Sequence, residues 1–450
     1  ISNILNFKDA FGTASIIKLE QNYRSTKNIL DAAWSVVSKN EDRAEKKLWT
    51  NNEKGDLLTL IENENERHEA KQILRKIIEK KDCLKEICVL YRTNSQSRTI
   101  EDELRKATIP YHIIGGVKFY DRKEIKDILA YMKILVNKYD SISFDRIVNF
   151  PVRGIGAVAL KKIHEYSNDK NISYFDSLEN LSDINLSKKQ FRELTNFSNM
   201  INIYMDRMIK EKPSIILSDL LKEINLKKYY ENLGTPEASD RWDNIEELVS
   251  SIKEFEENRD DPTLVSYLED VSLLTDIDKW NDSENRVTLM TVHSSKGLEF
   301  DNVNIIGLED GLFPLIRNYT DDDIEEERRL FYVGITRARK KVNLSYAKFR
   351  RRFGSNPSLT IKSRFLDEIS DSLISSSIRN RNYISSSSFN KNEIIDDVIK
   401  KGTIVEHSIF GKGTILNIEG IGSNRKLTIL FINNVTKKLI FKYANLKIIK

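Results

Sequence analysis

Three short segments of this sequence combine aromatic, guanidinium and carboxylate side chains in patterns suited to nucleotide chemistry. In the first, LEQNYRS at 19–25, Tyr23 could stack on a base while the forked guanidinium of Arg24 binds phosphate oxygens. The segment follows a predicted strand at 16–19, so these side chains are expected at the carboxyl edge of a sheet, where ligands commonly bind. Taken alone, a strand-end tyrosine beside a surface arginine is the more frequent explanation of so short a match.

The second segment, VTLMTVHSSKGLEFDNVNIIG at 287–307, is more specific, because a strand, a polar turn, a carboxylate and another strand follow in fixed order. Gly297 permits close approach of the backbone, and Glu299 could accept a hydrogen bond from a ribose hydroxyl. Thr291 and His293 could donate to a DNA backbone. A lone loop histidine is more often bonded within the protein, so this assignment depends on the whole segment.

The third segment, EEERRLFYVGITRAR at 325–339, predicts a helix with Arg337 in its second half. An acidic cap at 321–323 precedes it, and acidic side chains favour a helix N-terminus. Arg337 is a candidate arginine finger, a fixed positive charge that stabilises the transition state of phosphoryl transfer. An ion pair with a nearby glutamate is the alternative.

The elements around these segments follow the βα rhythm of a parallel sheet, interrupted after Gly115-Gly116 by a long helical stretch. Helical spacing there is clear in Ile125, Ile128, Leu129, Met132 and Leu135. The apolar runs predicted to be strands lie at 16–19, 57–61, 87–90, 287–292, 303–306 and 342–346. The pattern predicts an α/β domain split by an inserted helical domain.

The C-terminal part has a different composition. Residues from about 372 to 392 are rich in Ser and Asn, which is typical of a flexible linker. The last fifty or so residues place glycines between short β-branched runs such as 427–431, which predicts a small antiparallel barrel. The basic run at 348–354 is predicted to be a solvated face.

Composition sets broad limits on the class of protein. A net charge of +4 permits nucleic-acid binding without arguing for it. No stretch approaches the roughly 18 apolar residues of a membrane span, and the N-terminus lacks a secretory signal, so a cytoplasmic location is expected. Cys83 and Cys88 are expected to be buried thiols, and no metal site is predicted.

Together the three segments resemble the ATP-site and coupling motifs in the second RecA-like domain of UvrD, PcrA and Rep helicases, which belong to superfamily 1. The resemblance extends from the first residue to about Ile369. It implies a RecA-like domain, 2A, interrupted by a helical domain, 2B. The implied organisation is a remnant of the first RecA-like domain at 1–14, domain 2A at 15–113 and 284–371, domain 2B at 114–283, a linker at 372–398 and a Tudor-like (SH3-like) barrel at 399–450.

The resemblance also assigns roles at a nucleotide site. It implies that Tyr23 stacks on adenine, that Arg24 touches the γ-phosphate and that Glu299, two residues after the ATP-binding Gly297, contacts the sugar region. Arg337 is then the finger. The implied cofactor is ATP with Mg²⁺.

Further segments resemble the DNA-binding motifs of the family. YRTNSQSR at 91–98 matches a motif that touches single-stranded DNA, for which Arg92 and Asn94 are suitable donors. Thr291 and His293 are also expected to bind DNA, through its backbone.

A second DNA motif lies in the inserted region, whose entry at 115–127 includes Phe119, a residue equally plausible as core. NFPVRGIG at 149–156 resembles the GIG element of the family, in which small residues let backbone amides approach a duplex phosphate. The DNA-binding residues implied there are Arg153, Gly154, Ile155 and Gly156.

One part of the expected machinery is missing from the sequence. No G-x-x-x-x-G-K-[ST] phosphate loop occurs in the 450 residues, and no strand ends in the paired acids of a Mg²⁺-holding element. The resemblance places both, with the Mg²⁺ ligands, upstream of Ile1, so we expect a partial sequence. Alone, this chain is expected to bind nucleotide weakly and to hydrolyse nothing measurable.

The function implied by the resemblance is ATP-driven movement on single-stranded DNA with 3′ to 5′ polarity and duplex unwinding, in repair or replication. VEHSIFGKGTILNIEGIG at 405–422 resembles the Tudor-like module of PcrA-type proteins, which contacts RNA polymerase.

Two alternatives remain. A non-enzymatic adaptor, derived from a split helicase, could bind DNA and RNA polymerase without turning over ATP. The retention of Tyr23, Arg24, Glu299 and Arg337 argues against it. A helicase-nuclease subunit is a weaker alternative, because that class needs metal-binding acids where this C-terminus has a barrel pattern.

Overall fold

The chain divides into two compact units, residues 1–380 and 381–450. The computed structural model describes residues 19–41, 48–277, 284–315, 321–351, 357–376, 401, 403–407, 411–419, 426–431, 436–440 and 447–448. The predicted strand at 16–19, apart from Leu19, lies outside these residues. So do the predicted remnant at 1–14 and most of the predicted linker.

The first unit is built around one sheet whose strands come from both sides of the helical stretch. Its strands are β1 (Leu58–Asn65), β2 (Ile87–Tyr91), β3 (Tyr111–Ile114), β4 (Val287–Thr291), β5 (Phe300–Ile305), β6 (Ala338–Arg350), β7 (Ser358–Leu359) and β8 (Ile374–Ser376). Their order is β3-β4-β2-β5-β6-β1-β8, all in parallel, and β7 pairs antiparallel with β6. The predicted α/β class with an interrupted parallel sheet is confirmed.

Both faces of this sheet are covered by helices, which explains why its strands read as continuous apolar runs. All five residues of β2 are buried, with Cys88 and Leu90 packing into one apolar cluster and Val89 and Tyr91 into another. Such alternation is the period-two geometry of a strand. The covering helices are α1 (Lys27–Val37), α2 (Glu66–Ile78), α3 (Ser97–Lys106), and two that are described below, α12 (Asp321–Ile335) and α13 (Arg364–Asp367).

Between β3 and β4 the described elements are all helical, as predicted. The helices are α4 (Lys123–Val136), α5 (Ser141–Ile147), α6 (Ala157–Lys170), α7 (Lys188–Arg207), α8 (Pro213–Glu223), α9 (Leu226–Leu233), α10 (Pro236–Glu257) and α11 (Leu264–Ile277). The apolar face predicted for α4 is buried in the core of this region, and Phe119 is a fully buried part of the same core.

Three local predictions are wrong. The helix α12 includes the acids at 321–323 in its first turn and ends at Ile335, so Arg337 lies in the turn after it. Residues 374–376, predicted as linker, pair with β1 at the edge of the sheet. Cys88 is buried as expected, but Cys83 is exposed.

The basic run at 348–354 also departs from prediction. Arg350 and Arg351 are each only 9% exposed, so they do not form a solvated face. The guanidinium of Arg350 donates to Glu309 and Glu69 at 2.7 Å, and Glu309 is fully buried. Buried charges persist only when they are paired, and hydropathy of the run alone does not show the partners.

The second unit is a five-stranded antiparallel sheet, in agreement with the predicted β-rich module. Its strands are β9 (Ile404–His407), β10 (Gly411–Glu419), β11 (Lys426–Phe431), β12 (Thr436–Ile440) and β13 (Lys447–Ile448), in the order β12-β11-β10-β9-β13. A small apolar core includes Ile415, Ile429 and Phe431. A Cβ atom on Gly413 would lie 2.7 Å from the Phe431 ring, so close strand packing requires glycine there.

Among the described residues, no helix has the length and apolar composition that a membrane span requires. Nor do these residues bring three or more His, Cys, Asp or Glu side chains together as a group that could hold a metal ion.

Burial of Glu246 on α10 predicts a pH-dependent stability. Burial raises the pKa of this carboxyl to about 7, although the Trp242 indole donates to it at 2.6 Å. The folded state binds this proton more tightly than the unfolded chain does. The protonated carboxyl therefore contributes fully to the free energy of unfolding below its ordinary pKa, and this contribution is lost as pH rises through about 7. Glu246→Gln should therefore raise the unfolding temperature at pH ~8 and have little effect at pH ~4.5.

The measurement is thermal unfolding across this pH range, followed by tryptophan fluorescence. Glu237→Gln, which changes an exposed carboxylate on the same helix, is the matched control. Parallel curves for Glu246→Gln and the unchanged protein would show that Glu246 does not titrate as described.

Candidate functional site

The residues predicted to bind nucleotide come together at the amino ends of two strands. Glu299 immediately precedes β5, and Arg337 immediately precedes β6. The Ser25 hydroxyl donates to the Ala338 carbonyl at 2.7 Å, which fixes Arg24 beside them. This cluster therefore lies at the amino edge of β5 and β6, and the predicted carboxyl-edge location for Tyr23 and Arg24 is wrong.

Arg24 is held by its own turn and by two neighbours. The Asn22 side-chain oxygen accepts from the backbone amides of Arg24 and Ser25 at 2.8 and 2.9 Å, which forms a compact Asx-type turn. The Arg24 guanidinium donates through Nε to Glu299 at 2.5 Å and through Nη1 to the Thr336 carbonyl at 3.3 Å. One guanidinium is thus placed at the start of β6.

Arg337 lies in the same cluster and is bound mainly through backbone oxygens. Its guanidinium donates to the carbonyls of Val333 and Leu298 at 3.0 and 3.3 Å. Burial, and then the charge of Arg24, lower the pKa of Arg337. Within the described part of the chain, no carboxylate forms an ion pair with Arg337. The alternative explanation of Arg337, an ion pair with a nearby glutamate, is therefore wrong.

Glu299 is engaged by two arginines. The carboxylate binds Arg24 and, at 3.4 Å, Arg339, and the hydrogen bond from Arg24 lowers its pKa. Arg339 also binds Asp301 at 2.7 Å and Glu86. Sequence reasoning missed Arg339, because its partner Glu86 lies far away along the chain. The ribose contact of Glu299 stays a prediction.

Tyr23 and Gly297 complete the group. The Tyr23 side chain is 78% exposed and its hydroxyl donates to Gln21 at 2.9 Å, so one face of the ring is available for stacking. Gly297 has φ of +86°, which favours glycine, although an added Cβ would meet no atom within 4 Å. Glycine at 297 is therefore favoured by the backbone conformation of the turn, and not by close packing against another part of this chain.

Four of the residues predicted to bind DNA line one cleft at the opposite edge of the sheet. Arg92 follows β2, and Thr291 ends β4, the strand paired beside it. With Asn94 and His293 they line an open cleft of about 550 Å³. The carboxyl ends of adjacent parallel strands meet at one edge, which explains the assembly.

The floor of this cleft is tightly built. The Thr291 hydroxyl oxygen accepts from the Ser294 amide at 3.2 Å, and the two hydroxyls lie 3.0 Å apart. Gly115 has φ of +73°, and a Cβ there would lie 2.7 Å from the Ser294 hydroxyl oxygen. Burial, and then the charge of Arg92, lower the pKa of His293, so this side chain is held toward its neutral form.

Arg92 is not free in this cleft. Its Nε and Nη2 donate to Glu327 Oε1 at 2.8 and 2.6 Å, and Nε also reaches Oε2 at 2.9 Å. Glu327 lies on α12, within a run of three glutamates. Sequence reasoning missed it, because the spacing of the run does not show which carboxylate turns into the cleft.

The GIG segment lies in the helical region, before α6. The Arg153 Nη1 donates to the carbonyls of Ile147, Val148 and Phe150 between 2.9 and 3.2 Å, and Nη2 donates to the Tyr131 hydroxyl at 2.6 Å. This guanidinium braces its own loop.

The backbone of the same segment is partly engaged too. Ile155 is buried, and its amide donates to Asn149 at 3.0 Å. Gly154 and Gly156 are exposed at the start of α6. The predicted duplex contact therefore depends chiefly on the amides of these two glycines.

The helix α12 connects the two edges of the sheet. Glu326, Glu327 and Leu330 line the cleft beside Arg92, and the helix ends at Ile335, two residues before Arg337. A single helix thus extends from the cleft to the nucleotide cluster.

The sequence is similar to those of known DNA helicases. Residues 17–349 match the family described as UvrD-like helicase C-terminal domain, and residues 402–447 match the PcrA/UvrD tudor domain. The chain is 40% identical over 468 residues to the ATP-dependent DNA helicase PcrA of Staphylococcus epidermidis, with 99% of this chain and 63% of the relative covered. For PcrA of Staphylococcus aureus the identity is 39% over 470 residues, with 99% and 64% covered.

The chain therefore spans less than two thirds of the length of these curated relatives. A solved C-terminal domain of a possible DNA helicase from Lactobacillus plantarum is 11% identical, with 79% of this chain and 98% of that chain covered. Its TM-score is 0.31, too low to bear on the arrangement of the molecule.

Proposed function

The chain belongs to the family of UvrD-like helicase C-terminal domains, and from that premise we propose that it is the DNA-engaging, finger-bearing part of an ATP-dependent DNA helicase. The observation that supports this most is the placement of two clusters on opposite edges of one sheet. One is suited to phosphate and base, the other to single-stranded DNA. The helix α12 extends between them.

The charges of the nucleotide cluster suit the phosphates of ATP. Arg24 and Arg337 bring two guanidiniums together, and the carboxylate that pairs with Arg24, Glu299, is shared with Arg339. The surplus positive charge suits the γ-phosphate, and the exposed Tyr23 ring suits the adenine base. Bound ATP with Mg²⁺ would supply the phosphoanhydride bond whose hydrolysis drives movement.

This chain holds Arg337 ready at the edge of β6 to stabilise developing phosphate charge. Its sequence contains no phosphate-binding loop, so we propose that hydrolysis also requires a first RecA-like domain. Alone, the chain should bind nucleotide weakly and turn over none.

On the DNA side we propose movement along single-stranded DNA from 3′ to 5′ with duplex unwinding, in repair or replication. Arg92, Asn94, Thr291 and His293 would bind the strand, and Gly154 and Gly156 would bind a duplex phosphate. The polarity rests on the family alone. An adaptor without ATP turnover remains the alternative, and the paired guanidiniums at the nucleotide cluster argue against it.

For the second unit we propose RNA polymerase as a partner. The support is its match to the PcrA/UvrD tudor domain and its five-stranded sheet. Retention of residues 399–450 on immobilised RNA polymerase would test this, and absence of retention would contradict it.

The proposed DNA contact predicts a specific change in salt dependence. A fluorescent oligothymidylate should bind the chain at low salt, and Arg92→Gln should weaken binding and lower the slope of log affinity against log salt by about 0.7, the value of one phosphate contact. Fluorescence anisotropy measures both. The matched control is Arg259→Gln, which removes an exposed arginine on the helical region. Equal effects of the two changes would contradict the proposed cleft.

A further inference from the structure

The Nε–Nη2 edge of the guanidinium expected to bind a DNA phosphate is already occupied by a carboxylate. The Arg92 side chain is 18% exposed and the Glu327 side chain 7%, and three contacts of 2.6–2.9 Å join them. A two-pronged pairing with a carboxylate uses the same donors and geometry that Arg offers a phosphate. A phosphate that approaches this edge therefore competes with Glu327 for the same two nitrogen donors.

The charge of the cleft makes this competition matter. Its lining holds four carboxylates, those of Asp240, Asp323, Glu326 and Glu327, beside the cations available from Arg92 and His293. Since His293 is held toward its neutral form, carboxylates outnumber charged cationic groups among the described residues that line the cleft. A phosphate that binds the Nε–Nη2 edge of Arg92 must replace Glu327 there.

We propose that Glu327 is a gate on the DNA cleft. Its carboxylate binds Arg92 in place of a phosphate, and single-stranded DNA binds by displacing Glu327 from Arg92. The proposal rests on the proposed DNA-binding function of the cleft. Glu327 is a positioning residue in this account, because it acts through Arg92 and does not contact the DNA.

Glu327 is distinguished from the other acids by how it is fixed. Its Oε2 also accepts from the Leu315 amide at 2.9 Å, so the carboxylate is held while Arg92 binds it. Glu326, its neighbour, is 59% exposed and pairs with Arg329 instead. Removal of Glu326 changes the charge of the cleft without releasing Arg92, which makes it the matched control.

The test compares binding of a fluorescent oligothymidylate to the unchanged chain, Glu327→Gln and Glu326→Gln at low salt. In Glu327→Gln the introduced amide oxygen can still accept from Leu315, while the charged competitor is gone. Glu327→Gln should bind about fivefold tighter, the scale of one partly exposed ion pair. Glu326→Gln should change affinity less than twofold.

A double variant isolates the pair. In the background of Arg92→Gln, the further change Glu327→Gln should have no more effect than Glu326→Gln, because no guanidinium remains to release. Glu327→Asp provides a second variant, whose shorter carboxylate reaches Arg92 less well, and it should also bind DNA more tightly. Urea unfolding followed by tryptophan fluorescence checks that each variant is folded.

The outcomes separate the gate from the function on which it rests. Failure of the unchanged chain to bind would overturn the proposed DNA cleft and the gate with it. Binding that Arg92→Gln weakens, but that Glu327→Gln leaves unchanged or weakens, would overturn the gate and leave the DNA cleft standing.

Discussion

Replacement of Arg337 by alanine is expected to lower DNA-stimulated ATP hydrolysis by about 10³-fold or more, the range found for arginine fingers. The assay combines this chain with a separately expressed first RecA-like domain from a relative. The reason is geometric: the guanidinium is half-buried after α12 and bound to carbonyl oxygens, so its charge is fixed at the edge where phosphate is proposed to lie. A preorganised charge stabilises the transition state without reorganisation.

The control for this prediction lies near the start of β6, the strand that Arg337 precedes. Lys340→Gln removes a cation that is 65% exposed and pairs with Asp301, three residues from Arg337 in sequence. It should leave turnover within about twofold, since exposed pairs contribute little. A loss of less than tenfold for Arg337→Ala, or equal losses for the two variants, would remove Arg337 from the finger role.

Replacement of Arg350 by methionine should destabilise the first unit by about 3–5 kcal/mol, the cost of removing one partner of a buried ion pair. Glu309 is fully buried and Glu69 is 2% exposed, and both carboxylates would lose the guanidinium that binds them at 2.7 Å. The Ala347 amide also donates to Glu309, at 2.9 Å, but one amide does not neutralise the charge.

Urea unfolding followed by tryptophan fluorescence measures this loss, because all four tryptophans of the sequence lie within residues 1–380. Lys348→Gln is the control on the same strand. Its partner is Glu62, and with side-chain exposures of 46% and 25% this pair should be worth about 0–1 kcal/mol. Similar midpoints for Arg350→Met and Lys348→Gln would show that the buried network does not stabilise the unit as described.

Local sequence patterns predicted much of the fold, because the first unit is regular. Buried parallel strands are short apolar runs, and β2, β4 and β6 appear where those runs lie. The apolar spacing of α4 follows from helical period in the same way. The pairing of Tyr111 with Val287 depends on contacts distant in sequence, and the interrupted βα rhythm indicated only that the pieces share a sheet.

The site was predictable as a set of residue types and less so as geometry. Tyr23, Arg24, Glu299 and Arg337 do assemble, but at the amino edge of β5 and β6, because Glu299 and Arg337 precede those strands. Partners such as Glu327 for Arg92 arise from tertiary packing that no local spacing records. The prediction for the buried Arg350 failed for a related reason, since a charged run looks solvated until its partners are known.

The most direct test of the central claim is ATP hydrolysis by this chain, with and without single-stranded DNA, before and after addition of a first RecA-like domain from a relative. The account predicts no measurable turnover by the chain alone and DNA-stimulated turnover after the addition, because Arg24 and Arg337 then face a phosphate-binding loop. ATP hydrolysis by the chain alone would contradict the account. So would the absence of hydrolysis after the two domains are shown to associate.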